Sequence, residues 1–188
     1  MNLCNVSPEL IQQTIKFHGH ICPGLAIGIR VSELVLKEFA HNDDTPLFAV
    51  VETDMCGVDA IQFLTGCTYG KGNMIILDYG KMAFSFYRRN DNSSIRIVVK
   101  PDFLKQIQNE NTETPSKTHK EKFNYVMNSD IENIFNTMLP IKPIPRPAKS
   151  LNSLICQACK ESVMESRVRL YQGKTLCIPC FMAVEQKK

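Results

Sequence analysis

The stretch His18-Gly19-His20-Ile21-Cys22-Pro23-Gly24 decides how this chain is read. Three soft-metal ligands, His18, His20 and Cys22, occupy alternate positions and run straight into a Pro-Gly pair. In extended backbone, a period of two puts all three side chains on one side. Pro23 suits the first position of a helix, which makes Cys22 the expected N-cap. A thiol at that position feels the positive end of the helix dipole, which favours the thiolate. A thiolate beside two imidazoles fits zinc, copper or iron, or a reactive nucleophile. The alternative is a Gly-rich turn with two solvated histidines and a buried cysteine. One such residue would be read that way; three at this spacing are read as a site.

A second cluster lies at Asp54-Met55-Cys56-Gly57-Val58-Asp59. Residues 47–51 read as an apolar strand and residues 57–64 as a helix, so Cys56 stands at a strand-to-helix turn, where side chains face clefts more often than cores. Cys56 is the candidate fourth ligand or catalytic thiol, against a buried structural cysteine as the alternative. Asp59 and Gln62 follow at three-residue steps on that helix and are candidates for binding a ligand or substrate. Cys67 is a further candidate, but ten residues of ideal helix would set it about 15 Å from Cys56. The stretch from Gly66 to Asn73 lacks the spacing of a phosphate loop and its Ser or Thr, and is read as a turn whose Lys71 can face an anion.

Around these motifs the expected elements are helices near residues 8–17 and 24–39, the latter with Leu25, Ile29, Val35, Leu36 and Phe39 inward and stopped by residues 41–46. Strands follow near 74–77, 82–87 and 95–99, the last two joined by the turn-rich residues 89–93. Residues 105–122 are polar and read as an exposed helix end and loop, before a last helix carrying Phe123, Val126 and Met127. The class is α+β, with a mixed sheet flanked by helices.

The segment LPIKPIPRPAKS, residues 139–150, holds four prolines and fits neither helix nor central strand. It reads as an extended spacer between a body of residues 1–139 and a terminal module of residues 151–188. The body carries 13 Lys and Arg against 16 Asp and Glu, net −3, whereas residues 140–188 carry 9 against 3, net +6. In the terminal module, Cys156-Gln157-Ala158-Cys159 and Cys177-Ile178-Pro179-Cys180 are two CxxC units separated by 17 residues. Four thiolates so arranged suit a closed tetrahedral zinc site of zinc-ribbon or treble-clef type, and a module this small needs the metal for stability. Residues 163–171 and 175–176 read as a hairpin turning at 172–174, followed by a short helix. Lys160, Arg167, Arg169, Lys174, Lys187 and Lys188 raise nucleic acid or an acidic protein face as partners, but six basic residues against three acidic ones are better read as a solvated surface.

The chain has 188 residues and eight cysteines. Its length allows one ordinary core plus an appendage. There is no apolar run of the roughly 18 residues a membrane span needs, and the first residues have neither a basic nor an apolar leader region. The expectation is a cytoplasmic, reducing setting in which cysteines act as ligands or nucleophiles rather than as disulfides.

Taken together, these residues resemble the FmdE family, named for a component of formylmethanofuran dehydrogenase. The resemblance is carried by Phe17 to His20 with Cys22-Pro23-Gly24, by Cys56 with Val58-Asp59-Ala60 and Gln62, by Thr65 to Thr68 and Gly70 to Asn73, and by Asp78 to Lys81. The four-cysteine module looks like the zinc finger appended in many members. The resemblance implies an α-β-α-β-β-β core, a cleft metal site, a homodimer, and an association with molybdenum or tungsten oxidoreductases of one-carbon metabolism. Two functions follow. One is an enzyme whose core metal, zinc or another transition metal, is held by His18, His20, Cys22 and Cys56, with Cys56, Asp59 and Lys71 as catalytic candidates and Gln62 and Cys67 as cofactor-binding ones. The other is a non-catalytic accessory protein that binds metal or cofactor and docks on an oxidoreductase or another acidic partner through the basic finger.

Overall fold

A computed structural model describes residues 3–39, 47–108, 118–146 and 149–185. The chain divides into two compact units, Met1–Pro147 and Ala148–Lys188.

In the first unit, α1 (Pro8–His18) opens where Ser7 Oγ accepts the Leu10 N–H at 3.3 Å, with Pro8 supplying a fixed φ at the first position. It ends at Gly19, whose φ of +92° is left-handed backbone that glycine adopts without strain. The next helix, α2 (Pro23–Phe39), is buried around much of its circumference, including Leu25, Ala26, Ile29, Val31 and Val35, so it is the central helix of the core. Leu36, expected inward, is only half-buried. Residues 41–46, expected to stop α2, lie outside the described residues.

The strands β1 (Leu47–Val51), β2 (Met74–Ile76), β3 (Ala83–Arg88), β4 (Ser93–Val99) and β5 (Phe135–Met138) form one sheet in the order β2-β1-β3-β4-β5. The β1–β2 pair is parallel and the others antiparallel, giving the mixed sheet expected of the α+β class. Between β1 and β2 lies α3 (Gly57–Thr65), ended by Gly66 in left-handed backbone. Alternation along the strands sends Leu47, Ala49, Val51, Phe84, Phe86, Ile97 and Val99 to one face, where they join α2 in a continuous apolar core. Each such buried leucine, valine, isoleucine or phenylalanine side chain contributes about 1.5–3 kcal/mol.

The order of elements is longer than the resemblance implied. The polar stretch after β4 begins with α4 (Pro101–Gln108), which buries Phe103 and Ile107. A capping box of Thr118 and Glu121 then starts α5 (His119–Met127) well before its apolar residues. One further turn, α6 (Ile131–Ile134), leads directly into the fifth strand. Residues 140–145 of the proline-rich segment return over the outer face of the sheet, where Tyr87 Oη donates to the Lys142 carbonyl at 3.1 Å.

The second unit is two hairpins and a helix: β6 (Ser153–Ile155) with β7 (Ser162–Met164), β8 (Val168–Tyr171) with β9 (Lys174–Cys177), then α7 (Ile178–Val184). The single strand expected over residues 163–171 is broken by a 3-10 turn at Glu165–Arg167. Gln172 and Gly173 have φ of +48° and +75°, as a two-residue hairpin turn requires. The buried apolar set is small, Cys156, Leu176 and Cys177 with Val163, Tyr171 and Phe181 against it. Among the described residues no helix is long and apolar enough to cross a membrane.

Candidate metal centres

His18, His20, Cys22 and Cys56 each present one donor atom to a group in which all four atoms lie within 4.8 Å of one another. They do not come from a single extended row. His18 is the last residue of α1, Gly19 reverses the chain in left-handed backbone, and Cys22 stands just before Pro23 as the cap of α2. The gathering is therefore a helix-turn-helix arrangement, and the turn brings the two imidazoles together, tilted at 37° with ring centroids 4.4 Å apart. Cys22 behaves as the expected cap, since Leu25 N–H donates to its Sγ at 3.3 Å. Cys56 arrives from the other side as the N-cap residue of α3.

Three glycines bring the two helix starts together. A Cβ built on Gly28 of α2 would lie 2.2 Å from the Gly57 carbonyl oxygen, and one on Gly57 would lie 2.9 Å from the Gly24 carbonyl oxygen. The seam between α2 and α3 is thus backbone against backbone, and Gly24 itself faces Cys56. The signal was present in the sequence as Gly24-x-x-x-Gly28, a spacing that puts two glycines on one helix face.

His18 is oriented from behind. Its Nδ1 and Asp59 Oδ2 are 2.7 Å apart, and its Nε2 faces Cys22 Sγ at 3.9 Å. A carboxylate on the remote nitrogen fixes the tautomer and raises the basicity of the other, the arrangement typical of metal-bound histidine. Asp59 therefore meets the His18 ring on the nitrogen remote from Cys22. The donor chemistry fits a transition metal: two imidazoles and two thiols, with 3.9 Å close to the edge of about 3.6 Å expected between nitrogen and sulfur around zinc. Burial pushes the Cys22 thiol above its ordinary range and the neighbouring Cys56 sulfur adds to this, against the Leu25 N–H that pulls it down. The thiolate expected from the helix dipole alone is thus not favoured without a cation.

The remaining candidates are placed elsewhere. Gln62 Oε1 accepts the Tyr69 N–H at 3.1 Å and so braces the turn after α3. Lys71 is exposed on that turn. Cys67 is fully buried and lies outside the four-residue group. Burial raises its thiol to about 11.

In the second unit, Cys156, Cys159, Cys177 and Cys180 form the other such group, again with donor atoms within 4.8 Å of one another. Cys159 and Cys177 sulfurs are 3.9 Å apart, near the edge of about 3.8 Å of a zinc–sulfur tetrahedron. The Cys177 N–H donates to Cys156 Sγ at 3.2 Å and is the main cause of a thiol pulled down to about 6. The Glu161 N–H also pulls Cys159 down, yet burial and the three surrounding sulfurs together push it up to about 12. One thiolate forms readily and further negative charge is resisted, as expected of a set whose charge a dication must balance.

Residues 17–140 match the family profile described as FmdE, molybdenum formylmethanofuran dehydrogenase operon, and residues 149–186 match the prokaryotic dksA/traR C4-type zinc finger. A protein of Archaeoglobus fulgidus described as a probable S-adenosyl-L-methionine-binding protein is 28% identical over 196 residues, covering 92% of this chain and 52% of that protein. The chain thus spans about half the length of that relative. The crystal structure of a tungsten formylmethanofuran dehydrogenase FmdE-like protein from Syntrophus aciditrophicus superposes with a TM-score of 0.69 at 22% identity, covering 95% of this chain and 94% of that one. The profile match takes in more than half of the chain, including all four members of the first cysteine and histidine group, and on that ground the chain belongs to the FmdE family.

Proposed function

We propose that the core holds one transition-metal ion between His18, His20, Cys22 and Cys56, and that the protein uses it as a metal-dependent enzyme of one-carbon or molybdopterin-linked oxidoreductase metabolism. The observation that carries this reading is the convergence of four donor atoms from two helix starts, a turn and a helix end within 4.8 Å. Cys22 is buried while His20 is exposed, so one side of the group is closed by protein and the other open to a small ligand. When bound, the metal supplies Lewis acidity at that open side. The chain's own part is to position it: Asp59 holds the His18 ring, and the glycine seam sets the spacing of the two cysteines. The S-adenosyl-L-methionine in the description of the Archaeoglobus relative supports a small-molecule ligand for this family. In the second unit we assign the four cysteines to structural zinc, and we expect a cytoplasmic homodimer.

Metal analysis of the wild type and of Cys22→Ala/Cys56→Ala tests the core site. Two ions per wild-type chain and one per variant chain are expected; one ion in both removes the core site and leaves the finger. A second reading, an accessory protein docking on an acidic oxidoreductase, is favoured by the net charge of +6 from residue 140 onward. Binding to an acidic protein that weakens with salt supports it, and a lack of binding at every salt concentration removes it.

A further inference from the structure

The outer face of the sheet carries a site of its own. Register places Ile75, Val50, Ser85, Arg96 and Met138 in one row across all five strands. Alternation makes this row solvent-facing, yet Ser85 is buried and residues 140–145 lie above it. The small serine leaves a hollow in the middle of the sheet, and the proline-rich segment roofs it. Prolines suit a roof, because they bring apolar rings and no N–H groups that would need partners. Between sheet and roof is a cavity of about 400 Å³, bounded by Val50, Leu77, Tyr79, Tyr87 and the proline rings. That volume falls within the usual range for small-molecule sites.

Polar groups are few and of one dominant sign. Arg96 donates through Nε and Nη2 to the same Glu52 oxygen, at 3.1 and 2.8 Å, with side-chain exposures of 16% and 12% for the pair. Its third nitrogen, Nη1, meets the Met138 thioether at 3.9 Å among the described residues. Lys81 and Lys142 complete the charged lining, so three cations face one carboxylate. Lys142 Nζ also lies 5.7 Å from the Tyr79 ring centre, which marks an aromatic surface beside the positive charge. An apolar slot with a surplus of two positive charges is complementary to a flat apolar body carrying one negative group.

We propose that this cavity binds a small aromatic or alicyclic carboxylate, its ring between Tyr79, Tyr87 and the prolines and its carboxylate toward Lys81, Lys142 and Arg96. The residues that line it all belong to the first unit, and none of them is in the His18, His20, Cys22 and Cys56 group.

The test is calorimetric titration of the full-length protein with 2-naphthoate, with 2-naphthylmethylamine as a probe of the same body and opposite charge. Saturable binding of one naphthoate per chain is expected, with the amine at least tenfold weaker. Lys142→Glu and Lys81→Glu, both exposed, should each weaken naphthoate about tenfold without changing the circular dichroism spectrum. Ser85→Phe should abolish binding by filling the hollow. Cys22→Ala/Cys56→Ala should leave it unchanged, which separates this cavity from carboxylate coordination at the core metal. The proposal is overturned by no saturable binding to the intact chain, by equal binding of the amine, by undiminished binding to both lysine variants, or by loss of binding in the double cysteine variant.

Discussion

Asp59 and His18, 41 positions apart in sequence, meet at 2.7 Å behind the core cysteine and histidine group. Asp59 stands in the first turn of α3 and His18 is the last residue of α1, so one contact ties the orientation of a ligand to the packing of two helices. Asp59→Asn keeps the shape and removes the charge that makes the imidazole a strong ligand. We expect a 10–100-fold loss of metal affinity at the core, read by competition with a chromogenic chelator, while the finger metal is retained.

The glycine seam allows no added atom. Gly28→Ala places a methyl group 2.2 Å from a backbone oxygen, where no rotamer change can give relief. The helices must separate, at a cost of about 1–3 kcal/mol or more. The expected readout is a lower denaturation midpoint together with loss of the core metal and retention of the finger metal. Unchanged metal content would show that the seam does not set the site.

Arg30 and Glu33 are a buried pair on α2, with side-chain exposures of 1% and 6%. Arg30 Nη2 donates to the Ser129 carbonyl at 2.8 Å, and Glu33 Oε1 accepts both the backbone and side-chain N–H groups of Asn5. Arg30 Nη1 and Glu33 Oε2 face each other at 3.0 Å but out of hydrogen-bond alignment. Arg30→Ala leaves the carboxylate uncompensated and should cost about 3–5 kcal/mol in a denaturant titration. Arg30→Met/Glu33→Leu removes both charges and should cost less than the single change.

Cys67 gives the first unit an alkaline limit. Burial raises its folded-state pKa to about 11 from an ordinary value near 9, so the folded protein prefers the protonated thiol. That preference is fully present below pH 9 and is lost as pH rises toward 11. The loss is about 2–3 kcal/mol over this window. Stability of Cys67→Ala measured against that of the wild type should lack this decline, and Cys67 should resist thiol reagents at pH 8 until the protein unfolds.

Chelation should act on the second unit as a whole. Among the described residues its buried apolar set is three, two of them cysteines of the candidate metal group. Removing zinc, or Cys156→Ser, should collapse the amide dispersion of residues 149–185 in a heteronuclear spectrum and leave that of the first unit in place.

The parts of the fold that could be read directly were those where one periodicity acts alone. Phe84, Phe86, Ile97 and Val99 alternate without interruption, so β3 and β4 are visible in the sequence, and Ser7-Pro8 and Gly66 carry the backbone chemistry of helix ends. The fifth strand was hidden because it is short, follows a helical turn without a break, and exposes Asn136 and Thr137 at the sheet edge. Its apolar content says little; only its pairing with β4 reveals it. The capping box at Thr118 was legible but lay in a polar run that suggested loop. For the core group, residue types identified the donors, but the left-handed turn at Gly19, not an extended row, unites them. Asp59 was picked out for its chemistry, and only tertiary packing shows which group it serves.

The contact of Gly28 with Gly57 has a mechanical consequence. Cys22 and Cys56 cap the two helices that meet there, so the gap between their sulfurs works like a caliper locked by two helix axes. A seam of side chains would let the caliper open by a change of rotamer; a seam of main chain does not. The jaw without such a lock is His20, exposed on the turn between α1 and α2. Were the core group to hold ions of different radius, as we propose, the His20 ring on the exposed side would take up the difference while the seam kept the two sulfurs in place.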